Sequence, residues 1–230
     1  LGAFSTGIGN TDAGFIMGAG KLLIKVPPTI RFVMDGEMPS YLSAKDLILH
    51  IIGDIGVDGA TYCAMEFTGS AIEALSIEER CTICNMAVEA GAKNGIIAPD
   101  QKAIDYVKAR TKKPFEPLFS DPNAKVQAEH RYDVSKLEPV VAKPHLPDNK
   151  ALARACRDVK VDQVYIGSCT GGKLEDFVMA AKIMKGRKVA IRTLIVPATR
   201  QVEKGLADTK IGGQSLRQIF EAAGVEPIAP

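Results

Sequence analysis

Cys169 carries the strongest chemical signal in the chain. It stands in Gly167-Ser168-Cys169-Thr170-Gly171-Gly172, after a segment at 163–166 that reads as a buried strand and before the helical pattern of Leu174, Phe177, Val178 and Ala181. That order places a thiol just past the carboxyl end of a strand, where open α/β sheets collect their ligands. A helix start beyond it favours a thiolate through unpaired amides and a positive dipole end. Such a cysteine can act as a nucleophile or as a ligand to a metal or iron–sulfur centre. The plainer alternative is a small buried hydrophobe, the usual lot of a free cysteine. A nucleophile needs a base, and no spacing ties His50, His130 or His145 to Cys169. Each histidine is expected to be structural or on the surface.

Two other groupings could do chemistry. Cys81 and Cys84 form a C-x-x-C, but no second pair accompanies it as a zinc ribbon would require. The pair falls inside a helical pattern on its apolar stripe, so packing is the expected role. Asn85 and Glu89 are four apart and share a helix face. At the margin of a stripe made by Ile77, Cys81, Cys84 and Val88, they are expected to be half-buried at an interface between elements. A carboxylate there could serve in acid–base work or hold a substrate hydroxyl, and an ordinary surface pair is the competing reading.

The elements that must position these residues are partly visible. Residues 29–34 form a strand candidate ended by Asp35-Gly36. Ser43, with Asp46 in the first turn, opens a helix whose apolar positions are Leu47, Ile48, Ile51, Ile52 and Ile55, closed by Gly56 and Gly59. Ser76 and Glu79 make a capping box for the next helix, which Gly91 closes. Residues 112–149 hold six prolines and read as the connection between two domains. Asp148 can cap a short helix over 151–156. The last third alternates strand (163–166), helix, strand (189–196) and helix (near 200–206). Ser215 and Gln218 then open a final capped helix ending at Gly224. This β-α-β-α order predicts a parallel sheet with covering helices. Gly7-Ile8-Gly9 is no dinucleotide fingerprint, because Asp12 stands where the third glycine belongs. Tight packing is the expected use of this glycine-rich opening, Gly14 and Gly18 included.

Composition narrows the classes. A chain of 230 residues allows one or two domains. A formal net charge of +2 gives no footprint for nucleic acid, and the basic run at 108–113 reads as the solvated end of a helix. The apolar runs at 22–26 and 47–52 fall far short of a membrane span. Five cysteines at irregular spacing make a poor disulfide framework and fit a reducing compartment. The absence of an initiating Met and the abrupt Pro227-Ile228-Ala229-Pro230 ending lead us to expect the central piece of a longer protein.

Four segments together resemble one family. Ile83-Cys84-Asn85-Met86 with Glu89-Ala90-Gly91-Ala92 is similar to the T-I-C-N-M-x-x-E-x-G-A run of the aconitase superfamily. Gly167-Ser168-Cys169-Thr170, with Glu175-Asp176 beyond it, resembles the segment holding that family's first iron–sulfur ligand. Residues 1–20 resemble the glycine-rich stretch after its Asp-Ser-His-Thr motif, and Asp46-Leu47-Ile48-Leu49 its K-D-V-I-L helix. Gly171-Gly172, Val140-Val141-Ala142-Lys143-Pro144-His145 and Val196-Pro197-Ala198-Thr199 resemble the plant and algal isopropylmalate isomerase large subunits.

The resemblance implies aconitase-like three-layer α/β domains, with a largely parallel sheet in the C-terminal part. It implies boundaries at 1–28 (tail of a preceding domain), 29–132 and 133–230. It also implies a 4Fe–4S hydro-lyase that isomerises 2-isopropylmalate to 3-isopropylmalate in leucine biosynthesis, acting with a small subunit on a hydroxy-dicarboxylate. Cys169 would be one of three cluster cysteines, Glu89 would contact the substrate hydroxyl, and Asn85 would lie beside the cluster. The other ligands would lie outside this chain, which alone is expected to lack the cluster and activity. The implied location is the plastid stroma or, failing that, a bacterial cytoplasm. A homoaconitase, another 2-alkylmalate isomerase and a non-catalytic scaffold of the same fold are the alternatives.

Overall fold

Three capping signals sit at helix starts in the computed structural model, which describes residue 6 and residues 8–227. Ser43 N donates to Asp46 Oδ2 at 2.9 Å, opening the helix Ala44–Ile55. Ser76 N donates to Glu79 Oε2 at 2.9 Å, opening Ile77–Met86. Ser215 N donates to Gln218 Oε1 at 2.9 Å, opening Leu216–Ala223. Each pairing satisfies amides that a helix start leaves without intrahelical partners. Residues 1–5 and Gly7 of the glycine-rich opening lie outside the described residues.

Contacts divide the chain into two compact units, Leu1–Cys156 and Arg157–Pro230. The first contains α1 (Asn10–Ala19), β1 (Thr29–Asp35), α2 (Ala44–Ile55), β2 (Ala64–Thr68), α3 (Ser70–Ala74) and α4 (Ile77–Met86). It continues with β3 (Asn94–Ile97), α5 (Gln101–Lys108), β4 (Ala128–Asp133), β5 (Val140–Ala142) and β6 (Lys150–Leu152). Its four-stranded sheet has the order β3-β2-β1-β4, with every pairing parallel. Strands and the helices α2 and α4 close a core around Phe32, Met34, Ile48, Ile52, Met65, Phe67 and Ile83. On the opposite face Arg31 spans three strands, 2.8 Å from Glu66 and 3.8 Å from Glu129.

The units part after Cys156 rather than near residue 132 because residues 133–156 are tied to α2. The antiparallel hairpin β5–β6 lies against that helix. Asp46 Oδ1 accepts the Val140 amide at 3.3 Å, His50 Nε2 sits 2.8 Å from the Glu138 carbonyl, and Lys150 Nζ reaches Asp54 at 2.5 Å. The proline-rich segment is therefore not a simple linker, since β4 and β5 are built within it and β6 follows directly. Nor do residues 151–156 form the expected helix; β6 runs into a 3₁₀ turn at Ala153–Cys156. In α1 no residue is buried, and no heavy atom comes within 4 Å of a Cβ placed at Gly9, Gly14 or Gly18. The described residues thus supply no tight packing for those glycines.

The second unit contains β7 (Gln163–Gly167), α6 (Ser168–Gly171), α7 (Leu174–Met184), β8 (Arg192–Val196) and α8 (Arg200–Asp208). The short β9 (Lys210–Ile211) and β10 (Gln214–Ser215), α9 (Leu216–Ala223) and β11 (Glu226–Pro227) complete it. Its sheet, ordered β11-β8-β7, is parallel throughout, as the β-α-β-α pattern requires. Phe177 of α7 and Phe220 of α9 meet edge to face at 6.2 Å, the centre of a core shared with Ile195, Leu206 and Leu216. β7 is not the buried strand expected, since Gln163 and Tyr165 are exposed.

Candidate functional site

The two groups of predicted site residues fall in different units, Asn85 and Glu89 in the first and Cys169 in the second. In the first, α4 runs from its capping box across β3. Its buried residues are Arg80, Thr82, Ile83 and Met86. Beyond Met86 the chain tightens into a 3₁₀ turn, Ala87–Ala90, which Gly91 ends with a φ of 79°. At about 100° per residue, the buried Ile83, Met86, Ala87 and Ala90 cluster on one side, and residues 85 and 89 fall roughly opposite. Both are exposed. The core stripe is thus shifted from the expected Ile77, Cys81, Cys84 and Val88, and Val88 faces outward. Asn85 and Glu89 share a face, as their spacing requires, but it is solvent-facing rather than half-buried.

The side of α4 toward the sheet explains the cysteines. Cys84 packs onto β3, and burial pushes its thiol up to about 12. A thiol so held stays protonated and behaves as a hydrophobe. Cys81 is half-buried on the same helix. C-x-x-C is therefore packing chemistry here. Burial also raises the Cys63 thiol. Of the histidines, His50 is buried against the Glu138 carbonyl, His130 stacks on Phe32 at 5.2 Å, and His145 is exposed.

The sequence reading passed over Arg80. Its side chain is 1% exposed, and Nη2 donates to the Glu73 carbonyl at 2.8 Å and to Asp100 Oδ2 at 2.5 Å. The signal was present: Arg80 stands three residues before Ile83 and seven before Ala87, on the buried side. Gly95, next to Cys84 on β3, was missed for want of any local pattern.

In the second unit, β7 ends at Gly167 and the chain turns at once into α6, a single helical turn carrying Cys169. Ser168 takes a left-handed φ of 82° to make that turn. Its Oγ accepts the amides of Thr170 and Gly171, each at 3.3 Å, while Lys173 Nζ donates to the Cys169 carbonyl at 3.1 Å. The loop after β8 joins in, with Ala198 N donating to the Gly172 carbonyl at 2.9 Å. Cys169 is left exposed at the carboxyl edge of the parallel sheet, where the strand-end rule puts ligands.

Cys169 fits the part of one thiolate ligand: its side chain is accessible and its turn is fixed by neighbouring hydrogen bonds. Among the described residues no three His, Cys, Asp or Glu side chains come together as a metal site. A cubane cluster is held by several cysteine thiolates, of which Cys169 would be one. Among the described residues, no helix is long and apolar enough to cross a membrane.

Comparison with known proteins bears on both segments. The pattern of the aconitase family (aconitate hydratase) matches residues 1–156 and 149–230. The chloroplastic 3-isopropylmalate dehydratase large subunit of Arabidopsis thaliana is 62% identical over 236 residues, covering 100% of this chain and 46% of that protein. The 3-isopropylmalate dehydratase large subunit of Heliobacterium modesticaldum is 54% identical over 206 residues, 89% of this chain and 49% of that protein. Large subunit 1 of the same enzyme from Pyrococcus abyssi is 52% identical over 206 residues, 88% of this chain and 49% of that protein. The chain spans about half the length of the curated relatives it matches.

Proposed function

The chain belongs to the aconitase family, and on that premise we propose that it is part of a 3-isopropylmalate dehydratase large subunit, interconverting 2- and 3-isopropylmalate. The observation that carries this reading is the 62% identity to such a subunit along the whole chain. The outward presentation of Asn85, Glu89 and Cys169 supports it. A small subunit as partner and a hydroxy-dicarboxylate as substrate come with the reading, as does a place in leucine biosynthesis. The plastid stroma follows from the chloroplastic Arabidopsis relative.

The chemistry to be done is the loss of water across a carbon–carbon bond, a hydroxyl from one carbon and a proton from its neighbour, and its return with the two positions exchanged; we place the base that takes and returns the carbon-bound proton outside this chain. Hydroxide is a poor leaving group, so a proton must reach the departing oxygen. Glu89 is the group we assign to that oxygen: it holds the substrate hydroxyl and passes the proton. Asn85, on the same face, orients the substrate by hydrogen bonding. Cys169 supplies one thiolate to a 4Fe–4S cluster whose other ligands come from outside this chain. When bound, such a cluster would supply Lewis-acid chemistry without net redox change.

The test is made on the full-length large subunit with its small subunit. Wild type turns over 2-isopropylmalate, and Glu89→Gln lowers kcat by about 10²- to 10⁴-fold, the range for a lost proton-transfer group. Turnover of homocitrate with none of 2-isopropylmalate would reject the substrate assignment. Unchanged kcat in Glu89→Gln would reject the role given to Glu89.

A further inference from the structure

Besides its packing on α2 and the core, two contacts help to place α4, and neither involves Asn85 or Glu89 themselves. Gly95 of β3 lies under the last turns of the helix. A Cβ at residue 95 would stand 2.6 Å from Cys84 Cα and 3.0 Å from the Cys84 carbonyl oxygen. Its φ is not left-handed, so space rather than backbone conformation calls for glycine. At the other end, the buried Arg80 guanidinium joins the helix to the Glu73 carbonyl of α3 and to Asp100 after β3.

Carbon atoms in contact rest at about 3.5–4.0 Å, so a methyl group at residue 95 must push α4 away by roughly 1 Å. The atoms it meets include main-chain atoms, so a rotamer change cannot relieve the clash. Farther along, the chain is pinned separately: Ala60 N donates to the Ala90 carbonyl at 2.9 Å and Tyr62 N to the Gly91 carbonyl at 3.0 Å. The displacement is therefore concentrated on residues 84–89, the stretch that presents Asn85 and Glu89.

From this geometry we infer that Gly95 and Arg80 are positioning residues, which hold Asn85 and Glu89 in place for the reaction. The inference rests on the role given to Glu89 above. A misplacement of about 1 Å can cost on the order of 10²-fold in rate without touching the reacting groups.

The experiment uses the full-length large subunit, loaded with its cluster and bound to its small subunit. Gly95→Ala is compared with Ile97→Val, which trims the same strand's buried side but adds nothing against Cys84. Gly95→Ala is expected to lower kcat by roughly 10- to 100-fold, with KM for 2-isopropylmalate and the cluster absorbance little changed. Ile97→Val should keep its kcat. In a Glu89→Gln background, adding Gly95→Ala should cost much less than it does in wild type, because of the two groups being positioned only Asn85 remains. Equal kcat in Gly95→Ala and Ile97→Val, or losses that multiply in the double variant, would overturn the positioning role and leave Glu89's own role standing. Full activity in Glu89→Gln alone would remove both. Should Gly95→Ala not fold, Arg80→Lys decides by the same readouts, since it keeps the charge but its shorter side chain puts no nitrogen where Nη2 reaches both acceptors.

Discussion

Asp100 binds the buried Arg80 guanidinium through one oxygen at 2.5 Å and accepts the Ala103 amide through the other at 3.0 Å. A single carboxylate therefore neutralises a buried charge and caps α5. Asp100→Asn keeps a good capping side chain but leaves Arg80 unpaired. It is expected to cost about 3 kcal/mol, the low end for breaking a buried pair, because Asp100 is itself 36% exposed. Asp100→Ala should cost about 1 kcal/mol more, the value of the cap. Urea denaturation of the two variants checks the difference; equal losses would mean the cap contributes nothing.

The same pair sets an acid limit. The Arg80 hydrogen bond, foremost among the causes, holds the Asp100 carboxyl below its ordinary value. A carboxyl depressed in the folded state stabilises fully above its unfolded pKa, about 3.9. That contribution is lost as pH falls through the folded value. Wild type should therefore lose more stability than Asp100→Asn does between about pH 4 and pH 2. Parallel acid limbs would show that the pair does not titrate.

Much of this scaffold was legible because its signals are local. The pairings of Ser43 with Asp46, Ser76 with Glu79 and Ser215 with Gln218 marked helix starts, since each lies within one turn. Cys169 at a strand end was legible for the same reason. β2 and β4 were not: Ala64–Thr68 is buried on both faces and shows no alternation, while Ala128–Asp133 is a largely polar edge strand. The hairpin of β5 and β6 was hidden by its prolines, because the α2 contacts that hold it come from residues about a hundred positions away. Arg80 and Gly95 matter through partners on other elements, and a helical wheel alone does not name those partners.

Thiol reactivity should sort by burial. The Cys84 thiol is pushed up to about 12, so its thiolate fraction at pH 8 is on the order of 10⁻⁴. Cys63 is buried and also raised, whereas Cys169 is exposed. In cluster-free protein at pH 8, iodoacetamide should label Cys169 first and leave Cys84 last, as read by peptide mass mapping. Comparable rates at Cys84 and Cys169 would contradict the packing role of the C-x-x-C.

Cys169→Ser separates ligation from folding. The side chain is exposed, and the Lys173 contact is to the Cys169 carbonyl, which the substitution retains. Stability should change by no more than about 0.5 kcal/mol, as for other surface substitutions. In the full-length protein the visible absorption of the cluster should nevertheless disappear and activity with it. A variant that keeps both the absorption and the activity would remove Cys169 from the ligand set.

Asn94 opens β3 at 3% exposure, and neither its Oδ1 nor its Nδ2 has a hydrogen-bond partner among the described residues. A buried amide left unpaired costs about 1–3 kcal/mol relative to one satisfied in water. Asparagine is also a poor strand residue, whereas valine suits a half-buried pleated surface. Asn94→Val should therefore stabilise the first unit by about 1 kcal/mol and raise its melting temperature by a few degrees. Asn94→Ala removes the same unpaired amide but leaves a void, so its gain should be smaller. A loss of stability in Asn94→Val would instead place a polar partner on this side chain in the full-length protein, supplied from outside the chain described.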